Sequence, residues 1–251
     1  MRARPRVRID LHYRTKNAFR AKAPRRGVAN DTVRIAPDAI IRTMAQTSET
    51  SSPARPTVFA IWLIIAGVIG WWAAFQLTIE KFYVLEHPGA KASCDISVLV
   101  QCGKNLGSWQ GSAFGFPNPI IGLTAWMAPI VVGFAILAGA RFARWFWIVF
   151  WAGFVFAFGF VCWLISQSIF ALFTLCPWCM VTWAVTIPSF YAVTLHLFRT
   201  GVFPVSERAR GIADRLMAWV PLMAIVSYFI ILLIAQLRLN AIPNILHTIF
   251  G

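Results

Sequence analysis

Apolar and polar residues fall in long blocks along this chain. After a polar lead-in, Met44 to Pro56, the 21 residues from Val58 to Thr78 carry no charge. At 1.5 Å per residue that length crosses a hydrocarbon core of about 30 Å, so this is the first predicted membrane helix. Glu80, Lys81 and Glu86 mark its exit into water, and a polar segment runs from about Leu85 to Asn118. A second span is predicted from Pro119 to Ala140, stopping at the charged Arg141 and Arg144. From Trp145 to Phe198 there are 54 residues without Lys, Arg, Asp or Glu. That is about twice one span, so it reads as a hairpin: a third span Trp145–Ser166, a short turn-like segment, and a fourth span Pro177–Phe198. A charged connection, Arg199–Arg215, leads to a fifth span, Leu216–Leu237. The predicted fold class is an all-α integral membrane protein with no internal repeat.

Composition strengthens that reading and removes one alternative. Charged residues are 13% of the chain and mean hydropathy is +0.67, against roughly a quarter charged in soluble domains. Twelve Trp and 21 Phe suit aromatic belts at the two interfaces. The net charge of +14 would point to nucleic acid if it were spread over the molecule. Instead, residues 1–43 hold twelve Lys or Arg and three Asp. Residues 1–56 are therefore expected to be a basic, disordered arm on the anionic cytoplasmic membrane face, with no nucleic-acid partner. A start at Met44 would make residues 1–43 a spurious extension. No apolar stretch follows the charges within the first 30 residues, so the arm is not read as a signal peptide. Residues 57–240 form the expected transmembrane domain and 241–251 a short outer tail.

Loop charges orient the chain. With the N-terminus inside, the inner segments carry 19 Lys or Arg and the outer ones four; without residues 1–43 the skew is seven to four. Cys94, Cys102, Cys176 and Cys179 then all fall on the outer, oxidising side of a cell membrane, where disulfides persist.

Cys176-Pro177-Trp178-Cys179 opens the fourth span. Pro177 suits the first helical position, which makes Cys176 the predicted N-cap and sets Cys179 one turn in on the same face. Free N–H groups and the positive helix end stabilise a thiolate there. A static disulfide or two buried thiols would also fit, but four-residue disulfide loops are usually redox-active. A pair at membrane depth then needs a lipid-soluble redox partner. Cys94 and Cys102, with seven residues between them, would alone be a staple for an exposed loop. Beside the second pair they read as a relay, because a soluble thiol protein cannot enter the bilayer and a loop pair can exchange with it. Zinc is disfavoured by the loose seven-residue spacing, so no metal is expected. Cys162 reads as a small apolar core residue. The spans hold no Lys, Arg, Asp, Glu or His except His196, which argues against a transporter stabilised by two structural disulfides.

Taken together, these motifs resemble a known family. Cys94-Asp95, Cys102-Gly103, Ser108, Phe114-Gly115-Phe116-Pro117-Asn118 and a later Cys-X-X-Cys are similar to the vitamin K epoxide reductase (VKOR) family over residues 57–200. More narrowly, they are similar to its bacterial members that do the job of DsbB. The resemblance implies a four-helix transmembrane bundle around a quinone, menaquinone or ubiquinone, with the fifth helix outside it and the cysteine loop as a cap. It implies that Cys94 takes electrons from a separate DsbA-like thioredoxin-fold protein and pairs with Cys102. Cys102 would attack Cys176 of the inner disulfide, leaving Cys179 to face the quinone ring. Ser108 matches the family's loop Ser/Thr that donates to a quinone oxygen. Phe114, Phe116, Trp178 and Trp183 are the expected aromatic wall of an apolar cavity.

Two positions depart from the vertebrate pattern: Gly111 stands for an Asn that contacts the quinone, and Trp183 for a Tyr. These departures argue against epoxide reduction and leave quinone reduction intact. With no fused thioredoxin-like domain after the fifth span, the thiol partner is expected in trans. The implied activity is re-oxidation of that partner by the membrane quinone pool. The alternative is a quinone or vitamin K epoxide reductase whose purpose is the quinol.

Overall fold

The computed structural model describes residues 56–240 and Pro243. The basic arm up to Arg55, the alternative start at Met44 and the tail after residue 240, Pro243 apart, lie outside the described residues. Five stretches are long and apolar enough to cross a membrane, and no β-strand occurs among the described residues.

The first span, α1, is Thr57–Glu86, 30 residues. It runs two turns beyond the apolar stretch because the charged residues at its end are satisfied locally: the Glu80 carboxylate accepts from Ser93, and the Lys81 ammonium donates to the Leu106 carbonyl at 2.7 Å. A short helix α2 (Gly103–Gly107) and a 3₁₀ turn (Trp109–Ser112) follow.

The second span is two helices, α3 (Asn118–Ala125) and α4 (Met127–Leu137), joined at Trp126. Pro129 has no N–H for the Ala125 carbonyl, so the ladder fails where the span divides. It ends near Gly139, whose φ of 90° suits glycine. The third span, α5 (Arg144–Gln167), widens into one π turn, Ser168–Leu172, and is stopped by Phe173 in the left-handed region. The fourth, α6, is Pro177–Arg199.

The charged connection after α6 is not a plain loop. It contains helix α7, Glu207–Met217, whose Ser206 hydroxyl caps Ala209 N–H. Glu207 in its first turn and Arg215 in its last complement the dipole. The fifth span therefore begins later than its hydropathy alone predicts, as α8, Val220–Leu239.

Helices α1 and α6 pack on each other at the centre, with α3 and α4 on α1, and α5 and α8 on α6. About half of the apolar window of α6 is buried, against 17% for α5 and for α8, whose outer faces are available to lipid. Small residues allow the closest approach: a Cβ on Gly70 would overlap the Trp126 indole, and one on Gly133 would lie 2.7 Å from the Ala60 carbonyl. Without a hydrophobic force between helices in lipid, such close packing is a main source of association. Pro188 interrupts α6 and leaves the Ala184 carbonyl without its helical donor; the Tyr228 hydroxyl from α8 supplies one at 2.5 Å.

Gly70→Val should therefore lower stability by about 1–3 kcal/mol through overpacking against Trp126. The check is thermal unfolding in detergent beside a lipid-facing control, Val226→Ala, expected to change little.

Candidate functional site

The Cys94–Cys102 segment is held by its own backbone and one carboxylate. Asp95 Oδ1 accepts from Cys102 N–H at 2.7 Å and Gly103 N–H at 2.8 Å, and Oδ2 accepts from Ala92 N–H at 3.2 Å. The single side chain thus caps α2 and fixes both ends of the Cys94–Cys102 segment. A Cβ on Gly103 would sit 2.7 Å from that carboxylate, so glycine is needed there. Cys94 and Cys102 form a disulfide with Cα atoms 5.7 Å apart.

The two cysteine pairs are brought together by a backbone clip. Leu175 N–H donates to the Leu99 carbonyl at 2.8 Å, and Gln101 N–H donates to the Leu175 carbonyl at 3.1 Å. Asn105 reinforces it, donating to the Thr174 hydroxyl at 3.0 Å and accepting from the Ser168 hydroxyl at 3.2 Å. Leu175 directly precedes Cys176, and Gln101 directly precedes Cys102. The result is that Cys176 Sγ lies 3.5 Å from Cys102 Sγ.

Cys176 is the N-cap of α6 with Pro177 in the first turn, and its sulfur accepts from Cys179 N–H at 3.4 Å. The Cys179 thiol, and then the backbone amides of Cys179 and Trp178, hold the Cys176 thiol below its ordinary pKa, against burial and the Asp95 charge. Cys102 and Cys176 are fully buried and Cys94 is 7% exposed. Cys162 is exposed on α5 and takes no part in the cluster.

Below the cysteines lies a partly open cavity of about 750 Å³, lined by α1 and the four segments α3 to α6 together with the α2 region. Cys179 is on its wall. Polar side chains collect at the cysteine end, including Asn105, Ser108, Gln110, Asn118 and Gln167, while the rest of the lining is apolar apart from Thr182 and Thr186. Of the expected aromatic wall only Trp183 lines the cavity. Phe114 and Phe116 are 49% and 43% exposed at the rim, where Phe114 packs on Phe156 and Phe160. Trp178 packs beside the cysteines instead.

The wall is built from Trp126 and from one face of α5: Phe146, Phe150, Phe154 and Phe160. The four-residue spacing of Phe146, Phe150 and Phe154, with Phe160 back on that face 14 residues after Phe146, is the helical period that could have found them, had the uncharged run not hidden which face turned inward.

Ser108 reaches the cavity, but its hydroxyl is committed. It donates to the Asn105 carbonyl at 2.7 Å and accepts from Gly111 N–H at 3.2 Å. Gly111 is required, because a Cβ would overlap the Asn105 carbonyl. The amide groups at the cavity come from other positions. Asn118, at the start of α3, donates to the Gln110 carbonyl at 2.6 Å and accepts from Ala113 N–H at 3.1 Å. Gln110 donates to Gln167 at 3.3 Å.

The vitamin K epoxide reductase family model matches residues 61–194, from the first turns of α1 to near the end of α6. That is more than half of the chain, and it takes in all four clustered cysteines and every segment lining the cavity. The chain belongs to the vitamin K epoxide reductase family. No curated protein matches it. VKOR-family proteins are membrane thiol–disulfide oxidoreductases that use a quinone or vitamin K as redox partner. The cavity suits such a molecule: it is apolar, within the roughly 300–1,000 Å³ of small-molecule sites, and it carries a thiol and a few amides at one end. α8 lies outside the family match and does not line the cavity.

The 3.5 Å sulfur separation has a direct consequence. In a Cys94→Ala/Cys179→Ala protein the two remaining buried cysteines, Cys102 and Cys176, should form a disulfide nearly quantitatively under air. Peptide mapping without reductant checks it; a free Cys102 would contradict the geometry.

Proposed function

We propose that this protein re-oxidises a DsbA-like thiol protein outside the membrane and delivers the two electrons to a membrane quinone through its two cysteine pairs. The observation that carries the reading is the line of sulfurs. A disulfide, Cys94–Cys102, sits at the outer end; Cys176 lies against Cys102; and Cys179 lies on the cavity wall. The placement of this end outside the cell rests on the excess of Lys and Arg in the segments at the opposite end.

Each step balances. A partner dithiol reduces Cys94–Cys102 and leaves as a disulfide. The Cys102 thiolate attacks Cys176 Sγ of the inner disulfide, and Cys179 departs as the thiolate. Cys94 then attacks Cys102, restoring the outer disulfide and releasing Cys176. The hydrogen bonds that lower the Cys176 pKa make it a good leaving group in that step. The Cys176/Cys179 dithiol finally surrenders two electrons and two protons and closes to its disulfide. When bound, a quinone accepts them and becomes the quinol.

In this scheme Gln110, Asn118 and Gln167, each with an amide hydrogen to spare, orient the ring end, Asn105 and Ser108 hold the loop around it, and the aromatic face of α5 excludes water. Menaquinone and ubiquinone both suit the apolar wall.

Two variants divide the circuit. Cys179→Ala should abolish quinone reduction whatever the reductant, a loss of at least about 10³-fold for removal of a reacting group. Cys94→Ala should lose turnover with a reduced DsbA-like protein yet keep most of the quinone reduction driven by dithiothreitol. The assay is quinone absorbance with purified protein. Retained turnover in Cys179→Ala refutes the assignment, and faster turnover on a quinone epoxide than on the quinone would favour the quinol-producing activity.

A further inference from the structure

The segment that carries Cys94 is anchored by a charged side chain for which the exchange chemistry has no use. Glu80 lies in the last turns of α1 and is only 8% exposed. Its carboxylate accepts from Ser93 N–H at 2.9 Å and also from the Ser93 hydroxyl. Leu77 and Val84, about one turn to either side of it, are apolar and pack against the cysteines. An apolar residue at position 80 would extend that packing without the cost of burying a carboxylate. What Glu80 adds is direction: it grips the residue immediately before Cys94. Its neighbour Lys81 holds the other side of the disulfide through the Leu106 carbonyl, 2.7 Å away. Consecutive residues of one rigid helix thus tie down the loop before Cys94 and after Cys102. In that arrangement Cys94 is 7% exposed and Cys102 fully buried, while Ser93 itself is exposed. Little of this disulfide is therefore open to a thiol in water, and Ser93 is the exposed residue beside it.

We propose that Glu80 is a positioning residue whose grip on Ser93 sets how readily the outer disulfide opens to a water-soluble thiol partner. The inference rests on the reading of Cys94 and Cys102 as the redox-active entry pair. With Ser93 held, Cys102 stays against Cys176 for inward transfer; with Ser93 released, Cys94 becomes reachable from outside. Glu80 touches no reacting sulfur and acts only through the segment it holds.

The test uses the full chain in lipid nanodiscs, with the outer disulfide formed and tris(2-carboxyethyl)phosphine as reductant. Each turnover gives one phosphine oxide, its oxygen from water, and two thiols, which are counted by maleimide mass shift at Cys94 and Cys102. Glu80→Ala should accelerate reduction about tenfold, the scale set by losing hydrogen bonds to a charged acceptor, and Ser93→Ala about threefold for the hydroxyl alone. Glu80→Gln retains an acceptor for the Ser93 amide and a donor for its hydroxyl oxygen, and should return close to the wild-type rate. Ser93 is exposed, so Ser93→Ala decides the matter even if Glu80→Ala folds poorly. A Ser93→Ala reduction rate equal to wild type overturns the proposal, as does a Glu80→Gln rate as fast as that of Glu80→Ala. Dithiothreitol-driven quinone reduction by the wild type is measured in parallel. Its absence would refute the relay, whereas unchanged phosphine kinetics would refute only the role of Glu80.

Discussion

Two backbone hydrogen bonds, between Leu175 and the Leu99–Gln101 strand-like run, hold together what the rest of the molecule prepares. Leu175 and Gln101 each stand next to a cysteine and Leu99 stands three residues before one, so the pairing sets the sulfur separation almost without side-chain help. Backbone pairing of this kind is tolerated only where the chain leaves the hydrocarbon, since unpaired N–H and C=O groups are costly in lipid. The site therefore sits at the end of the bundle, within reach of both water and membrane.

The supports of that clip come from every direction. Phe173 takes the left-handed conformation and reverses the chain after the π turn, sending Thr174 and Leu175 past the cysteine loop. Asp95 fixes the loop from within, and Asn105 ties it to Thr174 and Ser168. Glu80 and Lys81 anchor it to α1. Buried polar groups that are each satisfied in this way select one arrangement, the one that sets two sulfurs 3.5 Å apart.

Breaks in the spans are put to use in the same manner. Pro129 divides the second span at Trp126, whose indole fills the space left by Gly70 and reaches the cavity wall. Pro188 frees a carbonyl on α6 that Tyr228 takes up, joining the fifth span to the four that surround the cavity. Each break gives a helix a particular neighbour.

Much of this was legible in the chain itself. Uncharged blocks of membrane length determined five spans, because a bilayer accepts few alternatives to an apolar helix of about 20 residues. Pro177 after Cys176 determined the helix start and the cap, a matter of local backbone geometry. The motif spacing pointed to the VKOR family before any contact was known. Tertiary structure alone decided which faces turned inward. Phe146, Phe150, Phe154 and Phe160 form the wall while Phe114 and Phe116 stay at the rim, because lipid-facing and cavity-facing surfaces of a membrane helix are equally apolar and leave no contrast to read. It also decided that Gly111 makes room for a carbonyl while Asn118 brings an amide to the cavity, and that Glu80 prolongs α1 where its charge seemed to end it. Those outcomes depend on partners 6 to 25 residues away in sequence, and local pattern says nothing about which of them will meet.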